Sequence, residues 1–233
     1  MCGIFSCSGQ QDYSQSYIIL IHGKEAGKEI ITEKTDMRGN LVRLSEQERD
    51  IYIGPKEKKQ KVIKTKTVIP KGQLFPVSYS FDSNTGSSFD LKLEDGKIIR
   101  TIKDGNSNKS VTPLEHGMLM LDLSAFHTID HWINNYNEKK GGKQVFQTYL
   151  LPSATTRKIS IVPSDIFLPK NFTGGIKLKN YEIEVTDRLT ILLWVDSDNR
   201  LYRMFVKGPD IDIVRTDLYD QIKKNNNQED KRS

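Results

Sequence analysis

The chain has 233 residues, 36% hydrophobic and 28% charged, with a net charge of +5 from 35 Lys and Arg against 30 Asp and Glu. That balance fits a globular domain with a good core, and no stretch approaches the ~20 apolar residues of a membrane-spanning helix. Cysteine occurs only at Cys2 and Cys7, so no disulfide framework or cysteine-based zinc site can form in the body of the chain.

From residue 16 onward the hydrophobic period is two, the mark of half-buried strands. Residues 16–22 read as an apolar strand, 23–27 as a turn with glycine at each end, and 28–36 as the returning strand. Residues 38–40 turn the chain again into 41–48 and 50–53. The run 56–66 holds Lys56, Lys58, Lys59, Lys61, Lys64 and Lys66. With no aromatic residues interleaved, it lacks the stacking platforms of a nucleic-acid site. It reads as a hairpin end and a solvated edge strand, where lysine discourages aggregation.

Asp95-Gly96, between Leu91-Lys92-Leu93-Glu94 and Lys97-Ile98-Ile99-Arg100, is the dipeptide that suits a primed two-residue hairpin. The segment 124–137 breaks the rule. Phe126, Ile129, Ile133 and Tyr136 recur there at helical spacing beside Trp132, with Ser124 as N-cap and Gly141-Gly142 beyond. Past it, 181–185 alternates strictly, 190–195 and 201–206 form a hairpin around 196–199, and 211–214 is a last strand.

The expected fold is mainly β: a strongly curved antiparallel sheet, a half-barrel, with one amphipathic helix against its concave face. The expected organisation is a lead-in or tether over 1–15, one β domain over 16–218, and a polar tail over 219–233 with too little apolar surface to offset the entropy of ordering. A curved sheet crossed by a helix leaves an apolar groove, and Phe89, Phe126, Trp132, Tyr136, Tyr149 and Trp194 are its candidate lining.

Other chemistry is thinner. His127 and His131 stand at i and i+4, a spacing that can bind zinc, but position 128 is Thr where the metalloprotease motif has Glu. No catalytic residue, metal or cofactor is therefore expected. Met1-Cys2-Gly3-Ile4-Phe5 resembles the start of the N-terminal-nucleophile glutamine amidotransferases, in which the terminal amine activates its own Cys. That family's His-Arg-Gly-Pro and Asn-Gly segments are unmatched, which leaves the amidotransferase as the alternative reading through Cys2. Ile4-Phe5-Ser6-Cys7 resembles a bacterial lipobox, which makes Cys7 the candidate lipid attachment point.

A broader resemblance rests on Tyr17-Ile18-Ile19-Leu20 with Gly23 and Gly27, Gly39-Asn40-Leu41-Val42, Phe75-Pro76-Val77-Ser78-Tyr79, Gly141-Gly142-Lys143-Gln144, Leu193-Trp194-Val195-Asp196 with Leu201, and Ile213-Val214-Arg215. In this order the segments resemble a group of uncharacterised bacterial envelope proteins, a β-rich domain of unknown function. That group is similar in outline to the periplasmic lipoprotein carriers of the Lol type. The resemblance implies a non-enzymatic protein of the Gram-negative periplasm or lipid-anchored envelope. Its partner would be an apolar ligand or lipid, or, as the other reading, another envelope protein. Membrane contact would come only through the anchor.

Overall fold

A computed structural model describes residues 13–52, 57–86, 88–103, 108–168, 176–186 and 189–229, with the backbone alone at Tyr52, His131 and 224–229. Cys2, Cys7 and most of the lead-in lie outside the described residues.

Among the described residues, fifteen strands form one sheet. The first eight are β1 (Tyr13–Ile21), β2 (Lys24–Thr35), β3 (Leu41–Tyr52), β4 (Lys58–Ile69), β5 (Ser78–Ser83), β6 (Phe89–Glu94), β7 (Lys97–Ile102) and β8 (Lys109–Pro113). After them come β9 (Leu119–Asp122), helix α1 (Thr128–Ile133), β10 (Gln144–Leu151), β11 (Thr155–Pro163), β12 (Lys179–Thr186), β13 (Leu189–Val195), β14 (Leu201–Val206), β15 (Ile211–Arg215) and helix α2 (Thr216–Glu229). The order across the sheet is β8-β7-β6-β5-β4-β3-β2-β1-β15-β14-β13-β12-β11-β10-β9. Two antiparallel meanders are thus joined where β1 pairs with β15, in register Tyr17↔Arg215 to Ile21↔Ile211. The sheet is open and curved, with α1 against its concave face, as the alternating pattern predicts.

β9 and β10 run parallel. Parallel neighbours need a crossover of a dozen or more residues, and α1 lies in that crossover. The helix is shorter than the apolar spacing predicts. Ser124 does not cap it. Its amide donates instead to Asp122 Oδ1 at 2.7 Å, and the chain turns through 123–127 before the helix begins.

Turn chemistry is followed in one hairpin and displaced in another. Asp95 and Gly96 have φ of 49° and 71°, as a primed turn requires. The β1–β2 turn is made by His22 and Gly23, also at positive φ, rather than by 23–27. Gly27 lies inside β2. A Cβ there would meet Glu48 O and sit 2.6 Å from Arg49 Cα on β3, so glycine permits close strand approach.

The lysine-rich strand β4 is not at an edge. It pairs with β3 and β5 along its length, and Lys58 and Lys64 form ion pairs with Asp50 and Glu46 of β3. The sheet's edges among the described residues are β8 and β9.

Three apolar clusters hold the fold. The largest joins α1 to the inner faces of β1, β2 and β9–β15, with Trp132 at 0% exposure. A second links β4–β7 to β9 and β10 through Phe75, Tyr79, Phe89, Met120 and Tyr149, drawing the sheet's two ends together. The third lies on the opposite face of β13–β15, where Leu192, Trp194, Tyr202 and Val214 pack with Leu218 of α2. β13 is therefore buried on both faces, which is why its sequence runs apolar without alternation. Helix α2 occupies 216–229, where the sequence predicts a polar tail from 219. Leu218, Tyr219 and Ile222 supply an apolar stripe at helical spacing among the polar residues.

Candidate functional site

An apolar cavity of about 220 Å3 lies between α1 and strands β13–β15. Leu121, Phe126, Ile129, Ile191 and Met204 form its buried inner wall. Leu123, Leu189 and Ile211 are half-buried at its rim, and Pro209 is exposed there. Strand alternation builds this wall, because Ile191, Met204, Val206 and Ile211 share the inner face of adjacent strands in register Ile191↔Val206 and Val206↔Ile211. Among the described residues, Asp122 is the one charged residue along the cavity. Its carboxylate is turned onto other groups: Oδ1 accepts from Ser124 N at 2.7 Å, and Oδ2 accepts from Tyr79 Oη–H at 2.5 Å. Burial raises the Asp122 pKa, opposed by those hydrogen bonds and by His127. Burial and the Asp122 carboxylate together raise that of the Tyr79 hydroxyl well above its ordinary value.

Of the candidate groove residues, Phe126 lines this cavity. Trp132 and Tyr136 share its apolar cluster, against Phe146 and Tyr181 at ring-centroid distances of 5.5 and 5.1 Å. Phe89 and Tyr149 lie in the second cluster, and Trp194 is on the other face of the sheet, its indole N–H donating to Ile166 O at 2.9 Å. The structure thus does not bring the six into one groove. Alternation places Trp194 opposite Leu193, and only the strand order decides which face is concave.

A second feature leaves no mark in the sequence pattern. The inner faces of β2, β3 and β4 carry Glu29, Glu33, Arg43, Ser45, Gln47, Thr65 and Thr67, all buried. Against them sits His127, just before α1. Its Nδ1 lies 3.0 Å from Glu29 Oε1 and its Nε2 lies 3.3 Å from Thr65 Oγ1. A carboxylate can only accept, so Nδ1–H donates to Glu29, and Nε2 faces the Thr65 hydroxyl. Ser45 Oγ–H also donates to Glu29 Oε1 at 2.6 Å. This Thr–His–Glu order resembles a nucleophile, base and orienting acid, but Thr65 and His127 are 4% and 1% exposed. The cavity walls contain neither of them. Both ring nitrogens of His127 are occupied, and the side chain of His131 lies outside the described residues, so the paired-histidine metal reading gains no geometry.

Arg43 continues the network. It donates to Glu33 Oε1 at 2.5 Å and to His127 O at 2.6 Å, and Arg200 reaches Glu33 Oε2 at 2.6 Å. Asp130 of α1 accepts from Leu201 N at 3.0 Å. Burial pushes its carboxyl up to about 7, against the pull of Arg43 and Arg200. This network ties α1 and its lead-in to the sheet. A wider depression of about 840 Å3 on the outer face of β10–β13 is lined by exposed charges such as Lys143 and Glu184, which pair with each other.

No protein-family model matches the chain, and no curated protein sequence does. Solved structures do. A β-barrel-like protein of the domain of unknown function DUF1849 from Brucella abortus aligns with 87% of this chain and 93% of its own, at 10% identity and a TM-score of 0.59. The likeness is one of fold. A DUF1089-family protein from Pseudomonas aeruginosa aligns with 86% of this chain and 95% of its own, at 14% identity and a TM-score of 0.30. The DUF1849 likeness alone makes the fold β-barrel-like, and the expected class, a β-rich domain of unknown function, is the class of that neighbour.

Proposed function

We propose that this protein binds an apolar ligand, such as an acyl chain, in the cavity between α1 and β13–β15, and holds it rather than transforming it. One observation carries the reading: a cavity open at an exposed rim whose wall is apolar side chains, with the single carboxylate among its described residues already engaged by Tyr79 and Ser124. Leaving such a wall to water is unfavourable, and each buried methylene of a ligand gains about 0.8 kcal/mol. At about 220 Å3 the site is smaller than the ~300 Å3 at which drug-sized pockets begin, so it suits one short chain or the end of a longer one.

A place in the bacterial envelope, a lipid on Cys7 and an outline like the lipoprotein carriers belong to the same proposal. Mass spectrometry of the Cys7 peptide from the native host tests the anchor. Native mass spectrometry and displacement of a fluorescent fatty-acid probe test the ligand. Saturable, one-to-one binding of n-octanol is the expected result. Absence of any probe or alkyl ligand at the site, with the cavity empty in a crystal soaked with n-octanol, sinks the proposal.

A further inference from the structure

The cavity has an inside and an outside of different character. Its inner wall, Leu121, Phe126, Ile129, Ile191 and Met204, offers no side-chain hydrogen-bond donor, and each of these residues is at most 5% exposed. The Asp122 carboxylate points onto Tyr79 Oη and Ser124 N and has no donor to share with a ligand. The outer end is the β14–β15 turn, where Pro209 is exposed between Gly208 and Asp210, with the half-buried Leu123 and Leu189 beside it. A charged group carried inward would lose its hydration and meet no compensating donor, a cost far above what a few methylenes return.

From this we infer that the ligand is an amphiphile with a single charged or polar head, that it enters tail-first past Pro209, and that its head stays in water at the β14–β15 turn. The inference rests on the ligand-binding reading above and adds orientation and ligand class to it. Chains charged at both ends are excluded, because one of the two charges must go inside.

Competition against a fluorescent fatty-acid probe, with n-octanol, octanoate and octanedioate on the full chain, tests it. Octanol and octanoate should displace the probe, and octanedioate should be weaker than octanoate by about tenfold or more, the scale set by burying an uncompensated charge. Orientation is read separately with Pro209→Lys, a substitution at the exposed rim that leaves the buried inner wall intact. The new cation beside the head should tighten octanoate relative to octanol by about threefold, on the scale of an exposed charge pair. Octanedioate binding as well as octanoate overturns the inference while leaving the ligand-binding reading standing, and so does a Pro209→Lys chain that treats octanol and octanoate alike. Failure of octanol and octanoate alike to bind overturns both.

Discussion

His127 Nδ1 donates to Glu29 Oε1 across 3.0 Å inside the concave sheet, with both side chains fully buried. Ninety-eight residues separate them in the chain, and the pair fastens the lead-in of α1 to β2. Replacing His127 by Leu leaves the Glu29 carboxylate with Ser45 as its remaining hydrogen-bond partner. The expected loss is about 3–5 kcal/mol of unfolding free energy, the cost of breaking a buried pair by removing one member. Urea titration of His127→Leu, Glu29→Gln and the double variant gives the coupling directly. Additive losses would mean that the two side chains do not act as a pair.

The two β1–β2 region glycines should fail for different reasons. Gly23→Ala has open space around its Cβ but sits at φ +69°. It should cost about 1–2 kcal/mol, the strain of an L-residue in the left-handed region. Gly27→Ala has an acceptable φ but drives its Cβ into the β3 backbone at Glu48 and Arg49. Separating β2 from β3 should cost about 1–3 kcal/mol, and amide exchange should speed up along the Gly27↔Arg49 end of that pairing. Loss of protection confined to the β1–β2 turn would contradict this.

Asp130 makes stability depend on pH. Its carboxyl sits at 3.8 in the ordinary case and is pushed up to about 7 by burial in the fold. Between these values the folded chain holds a proton that the unfolded chain has released. The contribution is therefore full below about pH 4 and is lost as pH rises through about 7. A shift of this size corresponds to roughly 4 kcal/mol across the window. Asp130→Asn keeps an acceptor for Leu201 N and cannot ionise. Its stability relative to the parent should rise steadily from about pH 4 to 7 and then level off. A flat difference between the two curves would show that Glu33, Arg43 and Arg200 already balance Asp130.

Filling the cavity should separate binding from folding. Leu189→Trp adds an indole at the half-buried rim without reaching the inner wall. The chain should keep its thermal midpoint within a few degrees, since surface and rim changes are usually within about 0.5 kcal/mol. Binding of n-octanol should fall by about tenfold or more as the entrance closes. Unaltered binding with the indole in place would put the ligand elsewhere on the protein.

Helix α2 covers the outer face of β13–β15. Leu218 is 0% exposed against Trp194 and Tyr202. Leu218→Ala should cost about 2–5 kcal/mol in a denaturant titration, with a red shift of tryptophan emission as Trp194 meets water. Trp132, on α1 against the inner face, should be unaffected. An unchanged stability and spectrum would mean that α2 does not cover this face.

The strands and their turns were written in the sequence. Alternation in Tyr181-Glu182-Ile183-Glu184-Val185 and the primed turn at Asp95-Gly96 are local facts, set by the pleat and by φ, and they need no distant partner to be read. A helix within 124–137 was visible for the same reason, although it spans only Thr128–Ile133, with His127 rather than Ser124 at its N-cap position. The tertiary structure decided which polar residues are inside. In β2, Glu29, Ile31 and Glu33 share the buried face while Ile30 is 42% exposed, an arrangement that looks like a solvated strand until β1 pairs with β15. That pairing and the β9–α1–β10 crossover bring His127, Arg43 and Arg200 to those carboxylates. Burial of a charge depends on partners far along the chain, and so does the gap between α1 and β13–β15 that forms the cavity. Local periodicity specifies faces, whereas only the order of strands in the sheet specifies what each face meets.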